Sequence, residues 1–303
     1  MITRSGRYPI GRQRYSAPLV VPGGKGCGAV NVSEREEWVP STVDVSVPSM
    51  ARAYDYLLGG AHNFEADRML IQQAEQMMPG LRKLVRMNRA FLGRAVRYMI
   101  SQGVRQFLDV GAGIPTVGSL HQVAHKEDPT CRVVYVDRDP VAVAHSELIL
   151  SGEERVAIVR ADIRDPEGIF DSPEARGLLD PDEPVGVLML FMLHWVPDEW
   201  GPRDLLTRYR DRLAPGSHLA ITHASHDRKK EEITGVADLV QRSQSRESVQ
   251  LRTHAEIETM FEGFELVDPG LVGCGLWRPS GPADISDEAD LNVQFYAGVG
   301  RKP

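Results

Sequence analysis

The sequence predicts an α/β fold: a mostly parallel sheet with helices on both faces, preceded by a helical cap. Three observations carry this. Short apolar runs alternate with amphipathic segments along the 303 residues, the pattern of repeated strand–helix units. The first apolar run, Phe107-Leu108-Asp109-Val110, enters a glycine turn, Gly111-Ala112-Gly113, with helix-like segments on either side. The next two runs each end near an acid, Asp137 and Asp162. Helix, buried strand, glycine turn and helix, in that order, is the plan of a nucleotide-binding crossover.

Taken in order, residues 1–45 read as a tail. Arg4, Arg7, Arg12, Arg14 and Lys25 precede the first acid, Glu34, and a Pro-Gly-Gly-Lys-Gly stretch interrupts any pattern. That composition predicts disorder, and a solvated tail is the plainer reading than one that touches phosphates. Pro48 and Ser49 open a helix over Ala51–Leu58, which Gly59-Gly60 ends. A second helix, capped by Asn63 or a neighbour, runs to Met77 and stops at Pro79-Gly80. Residues 46–87 therefore form the cap and 88–303 the core. The stretch Tyr54 to Phe64 is dense in side chains that do chemistry. It is expected to close over a ligand as a lid, with Asn63 near the ligand's amino-acid end; the alternative packs it on the sheet edge.

The helix from Asn88 to Ser101 puts Phe91, Leu92, Ala95, Val96, Met99 and Ile100 on one face and Arg89, Arg94 and Arg97 on another. After the glycine turn, Gly118–Lys126 is helical, Cys131–Val136 is the second strand and Val156–Val159 the third. Asp165-Pro166 starts a short helix, and Asp180–Pro184 is a loop. Val185–Leu193 is apolar almost throughout, as a central strand buried on both faces must be. A helix over Arg203–Leu213, a fifth strand over His218–Thr222 and a charged helical insertion at about 224–250 covering the site follow. A helix over Thr253–Phe261 and an edge hairpin of Phe264–Val267 with Val293–Val299 complete the chain. The sum is a seven-stranded sheet of order 3-2-1-4-5-7-6, with the ligand beyond the carboxyl ends of the first and fourth strands, where strand order reverses. Gly111, Asp137, Asp162 and His194 all fall at those ends.

Gly111 and Gly113 let the backbone take positive φ and approach a ligand. The third glycine of G-x-G-x-x-G is missing: Thr116 stands there, after Pro115. Asp137, ~20 residues past the glycines, is placed to accept hydrogen bonds from ribose hydroxyls, and Asp162 to meet the exocyclic amine of adenine. Either acid can instead cap the following helix. A ribose-reading acid without a pyrophosphate fingerprint suits S-adenosylmethionine better than NAD.

Composition narrows the rest. The formal net charge of -7 disfavours non-specific adhesion to nucleic acid. Cys27, Cys131 and Cys274 lie far apart, give neither metal-ligand spacing nor a disulfide framework, and suit a reducing cytoplasm. No apolar run reaches the ~18 residues of a membrane span, and no secretory leader is expected.

Together the motifs resemble a known family. Ala51-Arg52-Ala53-Tyr54-Asp55-Tyr56-Leu57-Leu58-Gly59-Gly60 with Asn63-Phe64, Asn88-Arg89-Ala90-Phe91-Leu92, the run Phe107–Thr116, and Val134-Tyr135-Val136-Asp137-Arg138-Asp139-Pro140 carry the likeness. So do Ala161-Asp162-Ile163-Arg164-Asp165-Pro166, Leu193-His194-Trp195-Val196-Pro197-Asp198 and the terminal Tyr296–Pro303. From about residue 46 onward the chain is similar to the bacterial S-adenosyl methyltransferase family once catalogued as a domain of unknown function. The resemblance implies a Rossmann-like fold and S-adenosylmethionine as cofactor. It implies a binding set of Tyr54, Asn63, Asn88, Arg89, Asp109, Gly111, Gly113, Asp137, Arg138, Asp162, Ile163 and His194. It implies no particular substrate.

Methyl transfer is an in-line displacement at a sulfonium methyl, so the protein mainly aligns the reactants and excludes water. A base is needed only where the nucleophile must lose a proton. His194, at the tip of the fourth strand, is the leading candidate, although its ring can equally pack or hydrogen-bond locally; His62, His223 and Tyr54 are weaker. No Asn-Pro-Pro-Tyr-like segment follows the fourth strand, which weighs against methylation of nucleobase amines, and no metal cluster appears. The leading expectation is methylation of a small molecule. RNA or protein methylation, aided by Arg82, Lys83, Arg86, Arg89 and Arg97 as a basic patch, is the second reading, and a non-catalytic S-adenosylmethionine-binding protein the third.

Overall fold

The structure, a computed structural model, describes residues 44–115, 118–243, 248–285 and 288–303. The expected tail therefore lies almost wholly outside the described residues, as do Cys27 and Thr116.

Three helices precede the sheet: α1 (Met50–Leu58), α2 (Glu65–Met77) and α3 (Leu81–Ser101). Gly59 ends α1 at φ +87, and Gly60 donates its N–H to Asp55 O at 2.9 Å. A side chain at Gly60 would collide with the Asp55 carboxylate, so this glycine pair is accounted for by helix termination and packing. Asp67 is buried and accepts the N–H groups of Ser49 and Phe64 and the Nε–H of Arg52, each at 2.8 Å. One carboxylate thus fastens the starts of both cap helices. Phe64, rather than Asn63, occupies the cap position of α2. Helix α3 begins at Leu81, earlier than expected, because Leu81, Leu84, Val85 and Asn88 continue the buried stripe of Phe91, Leu92, Ala95, Val96 and Met99 backwards.

The remaining elements are β1 (Gln106–Val110), α4 (Leu120–Glu127), β2 (Arg132–Asp137), α5 (Pro140–Ile149), β3 (Val156–Arg160), α6 (Pro166–Asp171), α7 (Pro173–Leu178) and β4 (Val185–Leu190). Then come α8 (Pro202–Asp211), β5 (His218–Ala224), α9 (Lys230–Arg242), α10 (His254–Glu258), β6 (Glu265–Leu266), β7 (Val272–Gly273), α11 (Ala289–Asn292) and β8 (Phe295–Arg301). The sheet runs β3-β2-β1-β4-β5-β8-β6, parallel through β5, with β8 antiparallel. This is the expected order with one addition: β7, two residues long, also pairs with β8, making eight strands.

Side chains alternate between the two faces. Phe107, Val133, Tyr135, Leu188 and Ala220 join α1–α4 in one core; Leu108, Val134, Val136, Val187 and Ile221 join the helices of the other face. Burial on both faces is why these strands read as continuous apolar runs. Helix α9, in the expected insertion, packs against α2 and does not line the cleft described next. No described helix is long and apolar enough to cross a membrane.

Candidate active site

A cleft opens beyond the carboxyl ends of β1 and β4, closed on one side by the first turns of α1. The glycine turn forms its floor. Gly111 (φ +74) and Gly113 (φ +64) bend the chain so that the N–H groups of Gly111 and Ala112 both reach Val136 O, at 2.8 and 3.1 Å. This couples the turn to the end of β2. The coupling continues through Asp137, whose carboxylate accepts Gly113 N–H at 2.7 Å and Asp139 N–H at 2.8 Å. Two backbone donors orient that carboxylate. Asp139 in turn caps α5 through Val141 N–H (2.8 Å) and accepts Ser49 Oγ–H (2.6 Å), tying the start of α1 to the same corner.

Two charged groups face the middle of the cleft. Asp109 is buried and has no hydrogen bond among the described residues; burial pushes its carboxyl up to about 7, against the charge of Arg89 and with that of Asp137. Arg89 lies over the Tyr54 ring, 5.7 Å from its centroid, and its Nε is buried without a hydrogen-bond partner. Tyr54 is held by Asn88 Nδ2, which donates to its hydroxyl at 3.0 Å, and burial raises its pKa. Asn88 Oδ1 accepts the hydroxyl of Thr222 at 2.8 Å, and Thr222 Oγ1 accepts Phe191 N–H at 2.9 Å. A single hydrogen-bonded chain therefore links α1, α3, β5 and the tip of β4.

Of the expected site residues, Tyr54, Asn88, Arg89, Asp109, Gly111, Gly113, Asp137, Arg138 and Ile163 line this cleft. Asn63, Asp162 and His194 do not. Asn63 Nδ2 donates to Asp55 and to Gly60 O, while its Oδ1 accepts from Arg68. Both oxygens of Asp162 are engaged by Arg164, which holds its pKa below the usual range. His194 is buried behind Phe191, its ring 5.4 Å edge-on from that phenyl and 4.8 Å from Trp195. Burial, reinforced by His223 and Arg252, holds it well below its ordinary pKa, so it stays neutral. As for the other base candidates, His223 donates Nδ1–H to Ala224 O and accepts from Arg252 at Nε2, and His62 sits beside Asp55 away from the cleft.

The chain after β4 explains the displacement of His194. Phe191 adopts φ +56, so the turn swings Phe191, Met192 and Trp195 to the cleft and His194 to the far side. Trp195 Nε1–H is donated to Phe191 O at 2.9 Å. Arg252, 59 residues further on, stays buried and donates to Leu193 O (3.0 Å) and Val196 O (2.7 Å), clamping the same turn. Trp195 fell within the motif Leu193–Asp198, but a positive φ at Phe191 and a clamp from the distant Arg252 leave no pattern in the local sequence.

A parallel sheet of this order, with a glycine turn after β1 and an acid ending β2, is the architecture of Rossmann-like S-adenosylmethionine-dependent methyltransferases. The chain belongs to the S-adenosyl methyltransferase family, which it matches over residues 36–303. It is similar to a DUF574 family protein from Streptomyces avermitilis, with 37% identity and a TM-score of 0.81 over 86% of this chain and 99% of that one. It is equally similar to a protein from Thermobifida fusca assigned as a methyltransferase, with 39% identity and a TM-score of 0.81 over 88% and 99%. No curated protein matches it.

Proposed function

We propose that the enzyme methylates a small molecule and that S-adenosylmethionine lies along the cleft from Asp137 to Tyr54. The observation that carries the placement is unspent polar capacity: Arg89 Nε is buried in the cleft without a hydrogen bond among the described residues, and the mostly buried Asp109 carboxyl lines the same space. Left so, Arg89 Nε costs stability; an amino-acid carboxylate would satisfy it, and an ammonium would pair with Asp109. Asp137 is oriented to take ribose hydroxyls, and Ile163 with Ala161 offers an apolar seat beside Arg138 for adenine. The bound sulfonium supplies the activated methyl, while the chain orients the reactants and keeps water out. A small acceptor is favoured because Arg82 is paired with Glu75 at 2.7 Å and Arg89 faces the cleft, which breaks up the basic face that RNA would need. The buried, unbridged thiols of Cys131 and Cys274 suit a cytoplasmic enzyme.

Calorimetry is expected to show binding of S-adenosylmethionine and S-adenosylhomocysteine and none of NAD; the reverse result would falsify the placement. Binding should also release a proton. In the free protein Asp109 titrates near 7, and a ligand ammonium would favour its charged form. Affinity for S-adenosylhomocysteine should therefore rise from about pH 5.5 to about pH 7.5 and then level, and Asp109→Asn should flatten that rise. An equal slope in both proteins would take Asp109 off the ammonium.

Because Ser49, Met50, Ala51 and Tyr54 line the cleft, the first turn of α1 is the part of the cap that closes on the cofactor. Amides 49–54 should gain hydrogen-exchange protection when S-adenosylhomocysteine is added. Unchanged exchange at saturating ligand would refute closure.

A further inference from the structure

We propose that the methyl acceptor is a planar, uncharged aromatic molecule that stacks on the wall formed by Phe191, Trp195 and Tyr54. The inference rests on the reading that the charged part of the cleft is taken by S-adenosylmethionine.

The charged side chains lining the cleft are Asp109, Asp137, Arg138 and Asp139, with Arg89 lying over the Tyr54 ring. The apolar part of the lining is Leu92, Leu190, Phe191, Met192 and Trp195. An ionic acceptor would be desolvated there without a partner. The polar atoms that this wall does contain are mostly spent. The indole N–H of Trp195 is donated to Phe191 O, so Trp195 offers only its ring. The N–H of Phe191 is donated to Thr222. The Tyr54 hydroxyl accepts from Asn88, and its own hydrogen has no acceptor among the described residues.

The rings are also held rigidly. Phe191 sits at φ +56, a conformation that side-chain-bearing residues rarely adopt and that persists where surrounding contacts impose it. Here the Thr222–Asn88–Tyr54 chain imposes it, and Phe295 backs the phenyl at 4.4 Å between centroids. Tyr54 stands 5.7 Å from Phe191. Fixed rings favour offset or edge-on contact with another π system at little entropic cost. The Tyr54 donor would meet a hydroxyl, carbonyl or ring nitrogen on the acceptor. In the transfer, a lone pair on the acceptor heteroatom bonds to the methyl carbon, the carbon–sulfur pair goes to sulfur, and the acceptor proton passes to water.

The test uses the full chain, with naphthol as the planar probe, decahydronaphthol as its saturated counterpart, and spermidine as a charged one. S-adenosylhomocysteine binding is measured first, and failure there removes the cofactor placement rather than the acceptor class. With S-adenosylhomocysteine saturating, naphthol should bind roughly ten-fold more tightly than decahydronaphthol. Trp195→Leu and, separately, Phe191→Leu should remove that preference while each variant still binds S-adenosylhomocysteine, which shows that it is folded. Equal binding of the two probes, preference for spermidine, or a preference that survives both substitutions would overturn the proposal.

Discussion

Asp137→Ala is expected to weaken binding of S-adenosylhomocysteine by about 1–3 kcal/mol, the scale of hydrogen bonds to a buried charged acceptor. The structure places the effect toward the top of that range. Beside its proposed role at the ribose, the carboxylate accepts the N–H groups of Gly113 and Asp139, so its removal frees two backbone donors and loosens the glycine turn. Asp137→Asn separates the two contributions. It keeps one acceptor for the turn but brings an amide donor to face the ribose hydroxyls. Its loss should therefore fall between wild type and alanine. Titration calorimetry on folded variants decides this, and an unchanged dissociation constant for the alanine variant would take Asp137 out of the site.

The second large effect is expected from Gly111→Ala. The residue sits at φ +74, where a side chain costs about 1–2 kcal/mol, and the added carbon would collide with the Met192 thioether at the tip of β4. The collision pushes the glycine turn out of place at the floor of the cleft, so cofactor affinity should fall by roughly ten-fold or more, about 1.4 kcal/mol at least. Gly113→Ala is the control: its φ is +64, but the new carbon meets only Ala51, at 3.9 Å. It should show the backbone cost without the collision. Adding Met192→Ala to Gly111→Ala should restore part of the affinity. If the double variant binds no better than the single one, the Met192 contact is not the cause.

These effects show what the sequence could and could not disclose. Alternating buried runs, the glycine turn and Asp137 were legible because each rests on short-range chemistry: period, positive φ and a strand-tip acid. The parallel order followed from them, and β7 escaped because two residues, Val272 and Gly273, carry no periodicity. Where a side chain points was not legible in the same way. Asn63 and Asp162 have the right chemistry at plausible positions, yet Asp55, Gly60, Arg68 and Arg164 engage them locally. His194 lies one turn past the strand tip, and a single unusual backbone angle at Phe191 decides which of its neighbours reaches the cleft.

The long helix α3 ties these parts into one unit. Leu84 and Val85 share a core with Ala53, Leu57, Ile71 and Ala74 of the cap helices, while Phe91 and Met99 share it with Phe107 of the sheet. Farther along, Arg94 donates to the carbonyls of Trp277 and Cys274, both at 2.7 Å. No linker separates cap from core, because the same 21-residue rod is the inner wall of both. The cap is therefore expected to show no melting transition of its own, residues 50–101 and the sheet unfolding together in one calorimetric peak, and whatever stabilises the rod at Arg94 should also hold Asn88 and Arg89 in register with the cleft.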